Sequence, residues 1–154
     1  LVVHQGCDVH RAEVLEHFFD RWQSENLVVN QWFVMQATRP LADCVSDVIA
    51  LTDHAAFDWR NPNKVRSLVS AFAGANPTAF HALDGGGYRL LGDAVRRLQS
   101  DNPQIAARML APMTRWRRYD HGQAVMRGEL ESIAALDGLS QDVYEVVNRS
   151  LSDS

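Results

Sequence analysis

Residues 61–81 read NPNKVRSLVSAFAGANPTAFH, and this stretch decides the fold class of the chain. It contains the pair Asn-Pro twice, each time ahead of a run of apolar and small residues. Asparagine is a favoured helix N-cap and proline is tolerated in the first helical turn, so each pair predicts a helix start. A third pair, Asn102-Pro103, precedes a similar run. The pattern predicts short helices that follow one another closely.

The rest of the chain continues this pattern in both directions. Apolar residues recur at spacings of three and four, which is typical of helices with one buried face. We predict that Asp8, Asp120 and Ser140 cap helices, that Pro40 opens one, and that Pro112 bends or breaks another. The predicted helices cover residues 9–24, 28–37, 40–51, 64–73, a short turn after 77, 88–100, 103–116, 120–138 and 140–151.

No segment alternates at period two for long, so the sequence predicts an all-α fold. About eight or nine short helices joined by tight turns favour an armadillo/HEAT-like α-α superhelix. The sequence has no clean repeat of fixed period, so a compact irregular bundle is the alternative.

Composition bounds the class of protein. The chain has 154 residues, of which 46% are hydrophobic, and this predicts a single helical domain over residues 1–154 and excludes a disordered chain. Cys7 and Cys44 are too few for a disulfide scaffold, and no apolar run reaches the ~20 residues of a membrane span. The sequence begins without methionine, from which we expect a piece of a longer, multidomain protein.

Charge is distributed in three blocks. Residues 1–58 carry three Arg against nine acids (−6), residues 59–119 ten Arg or Lys against three acids (+7), and residues 120–154 two Arg against seven acids (−5). The net charge of −4 argues against a dedicated nucleic-acid binder. The basic centre could face phosphates or carboxylates, or it could form solvated helix faces that pair locally.

The chain lacks the short motifs of common catalytic sites. It contains no His-Glu-x-x-His, no Cys-x-x-Cys, no Gly-x-Ser-x-Gly and no phosphate-binding glycine loop, so we predict no catalytic residue. His10, Glu13 and His17 share one helix face, but they also form the ordinary polar side of an amphipathic helix and suggest no fourth ligand. We therefore predict no metal site. His54 and His81 lie near predicted helix ends without an evident acidic partner.

Two arginines stand out within the basic centre. Arg66 and Arg108 each lie about one turn into a helix that begins with Asn-Pro, and Gln104 precedes Arg108 by four residues on the same face. Facing a common cavity, they would attract a carboxylate or a carbonyl-rich chain. The alternative is that both arginines form structural salt bridges with the acidic flanks.

Six segments carry a family resemblance. Together they resemble the C-terminal domain of bacterial aminopeptidase N (alanyl aminopeptidase), of the zinc gluzincin metallopeptidases, over essentially the whole chain. The segments are residues 31–38 (QWFVMQAT), 61–81, 84–88 (DGGGY), 102–108 (NPQIAAR), 118–120 (RYD) and 139–151.

The resemblance implies an armadillo/HEAT-like domain that caps a catalytic domain and encloses its cavity. The parent enzyme would be cytoplasmic and would remove N-terminal Ala and other neutral or basic residues from peptides. Its zinc and general base would belong to a catalytic domain outside these residues, so the fragment alone should be inactive and carry no cofactor. Arg66, Gln104 and Arg108 match residues of the substrate channel, where they would bind the peptide beyond the scissile bond.

The implied partners are the parent's own catalytic domain and a peptide, with no nucleic acid and no membrane. A different reading of the same chain is a free-standing helical-repeat module that binds a protein or nucleic acid through its arginine-rich centre.

Overall fold

A computed structural model describes residues 2–152, and the side chains of residues 9–152. Within this range the chain forms ten α-helices and no β-strand. The α4 helix is continuous through Pro62–Val65, Arg66–Ser70 and Ala71–Ala75, and its middle segment is π-helical. The other helices are α1 (Val2–Trp22), α2 (Asn26–Ala37), α3 (Cys44–Leu51), α5 (Pro77–Phe80), α6 (Gly86–Leu98), α7 (Pro103–Met109), α8 (Ala111–Thr114), α9 (Gln123–Ala134) and α10 (Gln141–Ser152), with a 3₁₀ turn at Trp116–Arg118.

The Asn-Pro pairs begin helices as predicted. The side chain of Asn61 accepts hydrogen bonds from the backbone N–H groups of Asn63 (3.0 Å) and Lys64 (3.4 Å). Asn76 accepts one from Ala79 at 3.2 Å. Asn102 also precedes a helix, but its side chain makes no capping bond. Local capping chemistry therefore determines where α4 and α5 begin.

Four predicted helix ends were wrong. The α1 helix runs through Asp8 without interruption, so this residue is not an N-cap. The helix predicted from Pro40 begins at Cys44, because the N–H of Leu41 bonds the carbonyl of Arg39 (2.8 Å) in a tight turn. The helix predicted over residues 120–138 runs only from 123 to 134: Gly122, with a positive φ of 79°, directly precedes it, and Ala135 follows its last residue.

Two further expectations concern α8 and α10. Pro112 breaks the helix predicted over residues 103–116, and this adds a helix to the expected eight or nine. Ser140 does precede α10, but its buried hydroxyl has no hydrogen-bond partner in the described structure, so it does not act as a cap.

Helices pack mainly against near neighbours in the sequence, and the predicted all-α fold is confirmed for the described residues. The α2 helix packs on α3 and α4, α3 on α6, α6 on α7 and α9, and α10 on both α7 and α9. One continuous apolar core runs between these helices. Its largest fully buried side chains are Tyr88, Phe33, Phe72, Phe80, Leu68, Leu91, Leu110, Met113, Met126, Leu130, Ile133 and Val48.

Two buried contacts fix the position of α5. The side-chain amide of Asn76 donates to the carbonyls of Ala37 (2.9 Å) and Arg39 (2.7 Å), which ties the start of α5 to the end of α2. At the other end, a Cβ at Gly87 would lie 2.5 Å from the carbonyl oxygen of Phe80, so only glycine lets α6 approach this closely. These contacts hold the segment that follows α4 against the core.

Candidate functional site

One cavity brings together the two arginines singled out from the sequence. Arg66 lies on α4 and Arg108 on α7, and both line a cavity of about 350 Å³. The remaining lining residues are Ser70, Gly74, Ile105, Met109, Ala111 and Pro112. The two side chains therefore share one site although 41 residues separate them in the sequence.

The wall contributed by α4 has an unusual helical turn. The π-helical segment begins at Arg66 and ends at Ser70. A π turn contains an additional residue per hydrogen-bonded turn and is often found at functional sites. Here it widens α4 where Arg66 and Ser70 line the cavity, and Gly74, one turn further on, adds no side chain to that wall.

Neither arginine is neutralised within the described part of the chain. Arg66 donates from Nε to the carbonyl of Pro62 (3.3 Å) and from Nη2 to the side-chain oxygen of Asn63 (3.1 Å). Arg108 is exposed and forms no ion pair with the described residues. The lining includes no Asp or Glu. The salt bridges of the structural alternative are therefore not formed there.

Arg96, in contrast, is an arginine with a structural role. Its guanidinium donates to Glu129 at 2.6 Å and to Asp93 at 2.9 Å, and it joins α6 to α9. The side chains of Arg66 and Arg108 have the same donors available, and no carboxylate of the described residues occupies them.

Gln104 is placed differently from the two arginines. It is exposed on α7, one turn before Arg108, and it does not line the cavity. The structure therefore brings together two of the three residues that the family resemblance groups in a substrate channel.

A second cavity, which the sequence did not indicate, adjoins the first. It measures about 430 Å³ and shares three lining residues with the first cavity. Its own polar side chains come from the ends of α5 and α8 and from the turn after α8. The shared residues are Gly74, Ala111 and Pro112, and the others are Ala73, Pro77, His81, Thr114, Arg115 and Tyr119.

His81 is held rigidly in the wall of this second cavity. Its Nδ1 is hydrogen-bonded to the hydroxyl of Tyr88 at 2.7 Å, and its ring stacks on Tyr119 with centroids 4.3 Å apart. Burial, with a smaller contribution from His121, lowers the pKa of His81 below its usual value. Sequence reasoning found no partner for His81, because this partner is a tyrosine of another helix.

A third cavity, of about 680 Å³, lies between α1, α2 and α3. Its lining includes Trp32, His54 and Arg39. Arg39 forms ion pairs with Asp43 (3.3 Å) and Asp47 (2.5 Å). Because acids already engage this arginine, the cavity is less suited to an anionic ligand than the one between α4 and α7.

The described residues place no His, Cys, Asp or Glu side chains in a group of three or more that could hold a metal ion. His10, Glu13 and His17 are all exposed on α1. No described helix is both long and apolar enough to cross a membrane.

Fold and site together define an all-helical repeat domain with an arginine-lined cavity between neighbouring helices. The chain belongs to the family described as a domain of unknown function (DUF3458_C) with ARM repeats, whose pattern matches residues 1–152. This confirms the helical-repeat fold that the sequence predicted.

Curated relatives confirm the resemblance to aminopeptidase N. The chain is 43% identical over 142 residues to aminopeptidase N of Escherichia coli, and 41% identical over 142 residues to that of Haemophilus influenzae. These matches cover 92% of this chain but only 16% of each relative, so the chain spans about one sixth of their length.

A solved structure agrees with the fold. The chain is similar to Legionella pneumophila aminopeptidase A, crystallised in complex with aspartic acid, with a TM-score of 0.88 and 35% sequence identity. The match covers 96% of this chain and 17% of that one. The chain thus corresponds to one domain of much larger aminopeptidases.

Proposed function

We propose that this chain is the C-terminal cap and substrate-channel domain of a zinc-dependent aminopeptidase that removes N-terminal Ala and other neutral or basic residues from peptides. The observation that carries the proposal is the cavity in which Arg66 and Arg108 lie together without an acidic neighbour. The relatedness to aminopeptidase N over 92% of the chain supplies the reaction class.

The two arginines suit the part of a peptide beyond the scissile bond. A guanidinium offers several N–H donors in a planar fork, which match backbone carbonyls and bind a terminal carboxylate with two bonds. Contacts far from the reacting bond orient the substrate and supply binding energy for catalysis. The apolar lining from Ile105 and Met109 would accept side chains of varied shape.

In this proposal, the residues that hydrolyse the peptide bond lie outside this chain. The zinc and the general base would reside in the parent's catalytic domain, where the metal activates water. This chain supplies no such ligand set among its described residues. Its partners would be that catalytic domain, within one polypeptide, and the peptide substrate, in the cytoplasm and with no nucleic acid or membrane.

The first test replaces Arg108 in the full-length protein that carries this chain. We expect Arg108→Ala to lower kcat/KM on penta-alanine, relative to that on a one-residue alanyl chromogenic amide, by about tenfold, mainly through KM. Arg127→Ala is the matched control, because Arg127 is exposed on α9 and paired with Glu131 at 2.7 Å. An Arg108→Ala variant with an unchanged ratio of the two substrates would show that Arg108 is structural.

The second test assays residues 1–154 alone, with added zinc, on the same alanyl amide. We expect no turnover, and turnover would refute the assignment as a cap. Salt-sensitive binding of nucleic acid by the chain would instead favour the free-standing module.

A further inference from the structure

The two cavities adjoin at Gly74, which has no side chain, and together we call them the groove. Gly74 lines both cavities, and a Cβ built there would meet nothing within 4 Å. Ala111 and Pro112 form the other shared boundary. A ligand that extends from the first cavity along α4 would therefore meet no side chain at position 74 before it reaches the second.

The complete groove carries positive charge without compensation. Arg66 and Arg108 line the first cavity and Arg115 the second, whereas neither lining includes an Asp or Glu. Arg115 is exposed and forms no ion pair with the described residues. In a chain with a net charge of −4, an acid-free groove with three arginines selects an anionic ligand.

His81 adds a directed donor at the far end. Tyr88 is 1% exposed, so its hydroxyl hydrogen needs an acceptor, and the ring nitrogen Nδ1 of His81 is the partner it has. A hydroxyl that donates to Nδ1 leaves the proton of a neutral imidazole on Nε2. His81 and Arg115 both line the second cavity, so its wall includes an imidazole as well as a guanidinium.

We propose that the second cavity, with Arg115 and His81, is a subsite for the C-terminal carboxylate of peptides long enough to extend from the first cavity past Gly74. The inference rests on the proposed function and adds to it a preference for peptides by length and by a free C-terminus. Arginine supplies the charge-assisted hydrogen bonds to the carboxylate, and the imidazole N–H supplies a further one.

A blocking substitution tests the path. In the full-length protein, Gly74→Leu places a side chain where the two cavities join, and the open space makes it compatible with the helix. We expect the ratio of kcat/KM on octa-alanine to kcat/KM on di-alanine to fall by about tenfold. Gly128→Leu is the matched control, since a Cβ at Gly128, on α9, also meets nothing within 4 Å. The proposal would be overturned if Gly74→Leu left this ratio unchanged, or if Gly128→Leu lowered it equally.

A charge substitution tests the ligand chemistry independently. Arg115→Gln should weaken the binding of octa-alanine with a free carboxylate by about tenfold, and that of its C-terminal amide much less, because only the acid has the charge. Equal losses for acid and amide would contradict a carboxylate subsite.

If Arg108→Ala lowers the ratio of long to short substrates while Gly74→Leu and Arg115→Gln do not, the proposed function stands and this inference fails. If Arg108→Ala has no effect either, both fail.

Discussion

Tyr88 on α6 and His81 after α5 are joined by a 2.7 Å hydrogen bond between the tyrosine hydroxyl and Nδ1 of the imidazole. Tyr88 belongs to the buried core, whereas His81 lines the second cavity. The bond therefore fixes part of the groove wall directly to the core of the domain. Burial also raises the pKa of Tyr88 above its usual value, which keeps the hydroxyl protonated as a donor.

Tyr88→Phe should lower the free energy of unfolding by about 1–2 kcal/mol, because it removes the partner of a half-buried imidazole. Urea denaturation measures the change. Tyr144→Phe is the control, since Tyr144 is 48% exposed on α10 and should change stability by less than about 0.5 kcal/mol. Similar effects of both substitutions would mean that the hydrogen bond contributes no stability.

Gly87→Ala should destabilise the domain by about 2–3 kcal/mol, because the new Cβ would meet the backbone of Phe80 at 2.5–3.0 Å and force α5 and α6 apart. Thermal unfolding followed by circular dichroism measures this loss. Gly128→Ala on α9 should do the reverse and stabilise by about 0.5–1 kcal/mol, since the same methyl group enters open space within a helix. A tolerated Gly87→Ala would contradict the close approach of the two helices.

Asn76→Ala should cost about 2–4 kcal/mol of unfolding free energy. The residue is 1% exposed, and the substitution removes a helix cap together with two long-range hydrogen bonds, to the carbonyls of Ala37 and Arg39. Asn61→Ala removes an exposed cap only and should cost about 1 kcal/mol in the same urea titration. Equal costs would show that the long-range bonds of Asn76 add nothing.

His54 should make stability depend on pH. Burial among Phe19, Trp32 and Phe33 lowers its pKa, and Nδ1 accepts a hydrogen bond from the N–H of Ala56 (3.0 Å) that a protonated ring could not accept. The unfolded chain therefore binds a proton more readily, so the free energy of unfolding falls as pH drops below about 6.5.

His54→Phe removes this titration while keeping an aromatic ring in place. Urea denaturation at about pH 7 and about pH 5 should show a smaller loss of stability on acidification than in the unchanged chain. Part of the loss should remain, because burial lowers the pKa of His81 as well. A loss as large as that of the unchanged chain would contradict the assignment to His54.

Helix starts were predictable where one residue determines them. Asn61 and Asn76 cap α4 and α5 with their own side chains, and this chemistry depends on two or three neighbours in sequence. The start of α3 was not predictable in this way, because a turn at Leu41 takes the place of the helix start that Pro40 suggested. The π turn at Arg66 also lacks a local sequence signal.

The sequence by itself determined the all-helical class and the position of most helices. Through a family resemblance it also singled out Arg66 and Arg108 as candidate substrate-channel residues. Only the tertiary structure decided that these two arginines share an acid-free cavity, that Gln104 lies outside it, and that a second cavity continues past Gly74. The physical reason is one of range. Capping and periodicity act over a few residues, whereas a cavity exists only where the packing of distant helices leaves space between them.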